Sequence, residues 1–224
     1  VGLSFLENKA PELSGFYRFL DASEGRGPQD KAALLRTQPD EVVPYTAALG
    51  DGDFAFHSTV RSISKKIGDF ASALQGCVTG DSAYYLGKYW ERPRNSGQWE
   101  FLQSTSDETK PYGGMTDVIL WENEKGALAQ LAAFVKGRNH SAQNWRKGKP
   151  NWGKQGVVVS QMGDFPATIY QGNIYDHNCC AIVPDDPSML NALWAYCSSN
   201  DFAASVKKLN QNRKVEVGTL LSTE

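Results

Sequence analysis

The sequence predicts an α+β fold of mixed, mostly antiparallel short strands, with a helix before a basic loop and a C-terminal helix pair. Short β-favouring runs such as "GVVVS" (156–160) and "CCAIVP" (179–184) are bounded by glycine, proline and aspartate. Helical patterns gather at residues 122–137 and 186–209. Strands and helices do not alternate in the regular βαβ order of a dinucleotide-binding fold.

A short apolar opening is followed by a polar turn at "EGRGPQD" (24–30), a helix around Lys31 to Arg36, and a turn at "GDGD" (50–53). "STVRSIS" (58–64) alternates as an edge strand does. "IGDFASALQGCVTGD" (67–81) runs from a helical or extended start into a glycine-bearing turn, and "AYYLGKYWERP" (83–93) has the aromatic content of a strand ending before Pro93. A proline and a glycine pair precede another strand, Val118 to Trp121. "ENEKGALAQLAAFVKG" (122–137) reads as one helix with Leu128, Leu131, Ala132 and Val135 on one face and Gly137 as its stop. "QGVVVSQ", "FPATIYQGNIYD" and "CCAIVP" supply further strands. Asp186 then suits an N-cap and Pro187 the first helical position, ahead of an apolar stripe of Met189, Leu190, Leu193, Trp194 and Cys197. A second helix, Asp201 to Leu209, carries Phe202, Val206 and Leu209.

With 224 residues and 41% hydrophobic content the chain is long enough to bury a real core. No run is long enough to cross a bilayer, and the opening has no basic leader, so a cytoplasmic protein is expected. Val1 in place of Met leads us to expect a longer natural chain. Cys77, Cys179, Cys180 and Cys197 form no CxxC pair and are expected to be buried free thiols. Asp176, His177, Cys179 and Cys180 make a weak metal-ligand pattern, because adjacent strand residues point to opposite faces. Ser160 lacks the glycine pattern of a nucleophile elbow.

Charge is unevenly placed. The formal net charge is −2, yet residues 125–163 hold Lys125, Lys136, Arg138, Arg146, Lys147, Lys149 and Lys154 with no Asp or Glu. Such a segment suits a polyanion, and equally a solvated loop. Within "NWRKGKPNWGKQ" (144–155), Trp145 and Trp152 flank a turn-forming stretch, and at least one of them is expected to pack on the core.

Five blocks, in order, carry a resemblance. "GDFASALQGCVTGD" (68–81) supplies a strand and a turn through Gln75, Gly76, Thr79, Gly80 and Asp81, leading on to Trp90 and Glu91. "KPYGGMTDVILWENE" (110–124), "WGKQGVVVSQ" (152–161) and "GNIYDHNCCAIVP" (172–184) follow, and the last block runs from Met189 to Ser222 with Gly218 in its turn. Across roughly residues 64 to 221 the chain resembles the target-recognition region of large DNA adenine-N6 methyltransferases, the Eco57I-like restriction-modification and PglX-like phage-resistance class.

The resemblance implies a variable lead-in over residues 1–60, packed on the same domain, and a DNA target-recognition domain over 61–224. It implies bacterial phage defence, with double-stranded DNA and a methyltransferase domain of the same parent chain as partners and no membrane. The family's Asn/Asp-Pro-Pro-aromatic motif and its cofactor segment are not in this sequence, so the isolated chain is expected to be non-catalytic, with S-adenosylmethionine bound elsewhere in the parent enzyme.

On this reading Lys136, Arg138, Arg146, Lys147, Lys149 and Lys154 would meet phosphates, and Asn144, Arg146, Asn151 and Gln155 would read base edges. Gln75, Thr79, Gly80 and Asp81 would shape a turn or lie near the DNA. The competing expectation is a protein-interaction or regulatory domain whose basic loop meets an acidic partner.

Overall fold

The computed structural model of the protein describes residues 14–22, 24–46, 65–92, 97–136 and 144–224. The chain divides into two compact units, Val1–Ser64 and Lys65–Glu224. The expected opening apolar segment, the "GDGD" turn and the "STVRSIS" strand lie outside the described residues, as do Gly137 and Arg138.

In the first unit, β1 (Phe16–Phe19) pairs antiparallel with β2 (Glu41–Pro44), setting Tyr17 opposite Val43. Between them runs α1 (Pro28–Thr37), which contains the expected helix. Pro28 starts it at a position where the missing N–H costs nothing.

Among the described residues the second unit holds two four-stranded sheets. Its strands are β3 (Ala71–Gln75), β4 (Leu86–Lys88), β5 (Trp99–Gln103), β6 (Asp117–Leu120), β7 (Gly156–Ser160), β8 (Ala167–Tyr170), β9 (Ile174–Tyr175) and β10 (Cys179–Pro184). One sheet has the order β3-β10-β7-β8 and is antiparallel throughout. The other has the order β4-β6-β5-β9, antiparallel except for the parallel β5–β9 pair. The protein is therefore α+β with short, mostly antiparallel strands.

Every residue of β10 is buried, because both faces of its sheet are covered. Cys180 and Ile182, with Val157 and Val159 of β7, face Leu193 and Cys197 of one C-terminal helix and Phe202 and Val206 of the next. Cys179, Ala181 and Val158 face the other way, toward Tyr170 and Tyr175. Those helices form the C-terminal pair. Burying Phe202 and Val206 completely contributes about 1.5–3 kcal/mol each. At Gly76 the chain passes from one sheet toward the other. A Cβ there would lie 2.2 Å from the carbonyl oxygens of Tyr175 and Asp176.

Among the described residues the α-helices of this unit are α2 (Ser82–Tyr85), α3 (Ala127–Val135), α4 (Leu190–Cys197), α5 (Asn200–Leu209) and α6 (Val217–Leu221). Asp186 accepts from Ser188 N at 2.9 Å and leads through a 3-10 turn, Pro187–Met189, into α4. Ser199 caps α5 by accepting from Phe202 N.

Two expectations are corrected. "AYYLGKYWERP" is not one strand: the Asp81 carboxylate accepts from Tyr84 N at 3.2 Å and closes the α2 turn, so β4 begins only at Leu86. The capping bond outweighs the β preference of the tyrosines. Nor is 122–137 one helix. Glu122, Asn123 and Glu124 take φ of 49°, 54° and 63°, and α3 starts after Gly126, with the Glu122 carboxylate accepting from Ala127 N at 2.7 Å. Of the face expected inside, Leu128 is 3% exposed whereas Leu131 is 40% exposed.

All four cysteines are buried and free. Among the described residues no group of three or more His, Cys, Asp or Glu side chains is placed to hold a metal, and no helix is long and apolar enough to cross a membrane. Asp176 accepts from Ser104 Oγ at 2.7 Å and from Asn178 N, tying the β9–β10 turn to the end of β5.

Candidate functional site

The loop 144–155 sorts its side chains by chemistry. Trp145 is 7% exposed and Asn151 2% exposed, Gly148 is buried, and Trp152 is half-buried, whereas Arg146, Lys147, Lys149, Lys154 and Gln155 are exposed. Trp121 links the two loop tryptophans, with ring centroids 5.2 Å from Trp145 and 5.3 Å from Trp152. Both tryptophans therefore pack on the core. The Trp152 indole N–H is buried without a hydrogen-bond partner among the described residues.

Backbone geometry makes the sorting possible. Gly148 has φ +86°, a left-handed conformation that turns the chain between Lys147 and Lys149, and a Cβ there would meet Tyr175 Oη at 2.6 Å. Pro150 is the middle residue of the 3-10 turn Lys149–Asn151. Val78 N donates to Asn144 O at 3.0 Å and Gly153 N to Gly172 O at 2.9 Å, pinning the loop near each end.

The outward cations have different surroundings. The Arg146 guanidinium carbon lies 4.5 Å from the Trp145 ring centroid, and Lys149 Nζ 5.8 Å from that of Trp152. Both also reach one carboxylate: Arg146 Nη2 is 2.8 Å and Lys149 Nζ 2.6 Å from Glu124 Oε2. Lys147 turns the other way and donates to Gln75 Oε1 at 2.7 Å. Lys154 and Gln155, which follow the second tryptophan in sequence, are exposed, as is Lys136 at the end of α3.

The loop has a cleft on either side. One, of about 800 Å³, is lined by Phe101, Trp121, Glu124, Arg146 and Trp152. The other, of about 570 Å³, is lined by Gln75, Lys147, Gln161, Lys214 and Glu216. Arg146 and Lys147, adjacent in sequence, thus serve opposite clefts.

Asn151 does not fit the base-reading role expected of it. Its amide donates to Ala181 O at 3.0 Å, tying the loop to β10, and burial takes it away from any ligand surface. Asn144 is half-buried and braces the loop through its carbonyl, which accepts from Val78 and Lys147. Thr79 is 8% exposed, Gly80 has φ +80° in open space, and Asp81 caps α2. These three shape the turn. Gln75 stands apart from them through its bonds to Lys147, Gln161 and His177.

Three residues at the site were not singled out from sequence. Glu124 stands one residue before the acid-free segment, and folding brings it to Lys149, 25 residues on. Gln161 and Lys214 join through the second cleft, where Gln161 Nε2 donates to Val215 O at 2.9 Å. Gln161 directly follows β7, a polar residue at a strand end, whereas nothing local in the sequence points to Glu124 or Lys214.

Neither a protein-family model nor a curated protein matches this chain.

Proposed function

We propose that the second unit is a duplex-DNA recognition domain, in which the 144–155 loop meets the phosphate backbone and presents base-reading side chains. The observation that supports this reading most directly is the loop's division of labour: tryptophans and Asn151 inside, Arg146, Lys147, Lys149 and Lys154 outside. A cationic loop held on a packed aromatic base presents charge at little entropic cost, as a backbone-contacting element requires. Lys136 and Arg138 extend the set of cations along the sequence. Asn144 and Gln155, which suit adenine N6 and N7, remain as base readers, and Arg146, which suits guanine O6 and N7, stays in both the base and the phosphate sets.

On this reading the chain serves a larger adenine-N6 methyltransferase or restriction-modification protein, with S-adenosylmethionine held elsewhere in the parent. The described sheets do not fit that cofactor themselves: they are antiparallel but for the β5–β9 pair and offer no parallel strand–glycine turn–helix unit. No chemistry is assigned to this chain.

A second reading, an acidic protein partner, draws on the Glu124 carboxylate, which already satisfies Arg146 and Lys149. Selection from a pool of random duplexes, with the recovered DNA sequenced, separates the two. Enrichment of a motif supports base reading. Binding to polyglutamate without binding to duplex supports the acidic partner.

A further inference from the structure

We propose that Glu124 is an internal stand-in for phosphate, occupying an oxyanion subsite built by Arg146 and Lys149 until a backbone phosphate replaces it. The proposal rests on the DNA-binding reading for its ligand and on separate geometry for its mechanism.

The subsite has the chemistry a phosphate oxygen needs. A planar guanidinium and an ammonium converge on one oxygen, Glu124 Oε2, at 2.8 and 2.6 Å, and Lys149 also reaches Oε1 at 2.5 Å. Trp145 and Trp152 hold the two cations in place by contacts that do not involve Glu124. Exchanging the carboxylate for another oxyanion therefore leaves the subsite standing.

The carboxylate itself is delivered at a cost. Glu122, Asn123 and Glu124 are three successive non-glycine residues in the left-handed region, where an L side chain is disfavoured. Local bonds impose the turn: Trp121 N and Glu122 N both donate to Gln98 O, at 2.8 and 3.0 Å, and the Glu122 carboxylate caps α3. Backbone strain of this kind gathers where a side chain must be aimed. Here it aims Glu124 at the basic loop.

The exchange is also accessible. The Arg146 and Lys149 side chains are 42% and 46% exposed, and Glu124 is 23% exposed, beside the 800 Å³ cleft. Ion pairs this open to water hold weakly, and a polyanion gains from counterion release when it takes the carboxylate's place. Glu124 thereby discourages casual anion binding and yields to a ligand with several phosphates in register.

The test compares the full chain with Glu124→Gln, which keeps the side-chain shape, and with Glu124→Gln combined with Arg146→Gln. Three probes are used: inorganic pyrophosphate, followed through the indole N–H signals of Trp145 and Trp152, a mixed-sequence duplex at low salt, and polyglutamate as the carboxylate control. The expected result is a gain of about 3- to 10-fold in affinity for pyrophosphate and duplex in Glu124→Gln, lost in the double variant, with a smaller gain for polyglutamate. Equal or weaker pyrophosphate binding by Glu124→Gln would overturn the proposal, because Glu124 would then be a brace for its cations. An equal gain for polyglutamate would overturn the assignment to phosphate. If pyrophosphate binding improves while no form binds duplex, the stand-in role stands and the DNA reading fails.

Discussion

Lys147 Nζ lies 2.7 Å from Gln75 Oε1, and Gln75 Nε2 in turn donates to His177 O at 2.7 Å and to Gln161 Oε1 at 3.1 Å. One amide thus joins the basic loop to the strand end and to the β9–β10 turn. Gln75→Ala leaves Gln161, 2% exposed, short of a donor, and is expected to lower stability by about 1–2 kcal/mol in urea unfolding. Lys147→Ala removes only the exposed end of the chain of bonds and is expected to cost less than half as much.

Gly148→Ala is expected to destabilise the protein by about 2–4 kcal/mol, combining a left-handed alanine with a clash against Tyr175 Oη at 2.6 Å. Gly153→Ala is the control, since φ is +77° but nothing lies within 4 Å of the added Cβ. Its expected cost is about 1 kcal/mol. Thermal unfolding of the two variants checks the difference, and equal losses would show that Tyr175 moves aside.

Asn151→Ala is expected to cost about 1–3 kcal/mol, because Ala181 O loses its buried side-chain donor. It should leave base preference unchanged in duplex selection wherever the variant remains folded. A changed preference would return Asn151 to the recognition surface.

Burial pushes the thiols of Cys77 and Cys197 up to about 12, and raises those of Cys179 and Cys180 as well. In the unfolded chain these groups ionise near the usual thiol range, about 8.5. Above that pH the unfolded state loses protons that the folded state keeps, so stability falls as pH rises toward 12. Each thiol contributes a slope of up to about 1.4 kcal/mol per pH unit in that window. Urea midpoints between pH 8 and 10.5 check the sign, and iodoacetamide is expected to label the cysteines only after unfolding.

Much of the second unit is legible in the sequence where local signals agree with packing. "CCAIVP" is apolar because both its faces are covered, and Asp186 with Pro187 announces the turn into α4. Legibility fails where a side chain captures the backbone: Asp81 closes a helical turn in an aromatic segment, and Glu122 starts α3 after a left-handed turn. At the loop, composition identifies the cations but not their directions. Only the fold separates inward Asn151 from outward Arg146, and brings Glu124 to a segment that contains no acid of its own.

The central claim, that the 144–155 loop contacts a DNA backbone, is tested most directly by the salt dependence of duplex binding in the intact chain and in the triple variant Arg146→Ala, Lys147→Ala, Lys149→Ala. Each phosphate contact contributes about 0.9 to the slope of log affinity against log salt. The account predicts salt-sensitive binding by the intact chain and a slope shallower by about 2–3 in the folded variant. Duplex affinity and slope unchanged by the three substitutions would contradict it.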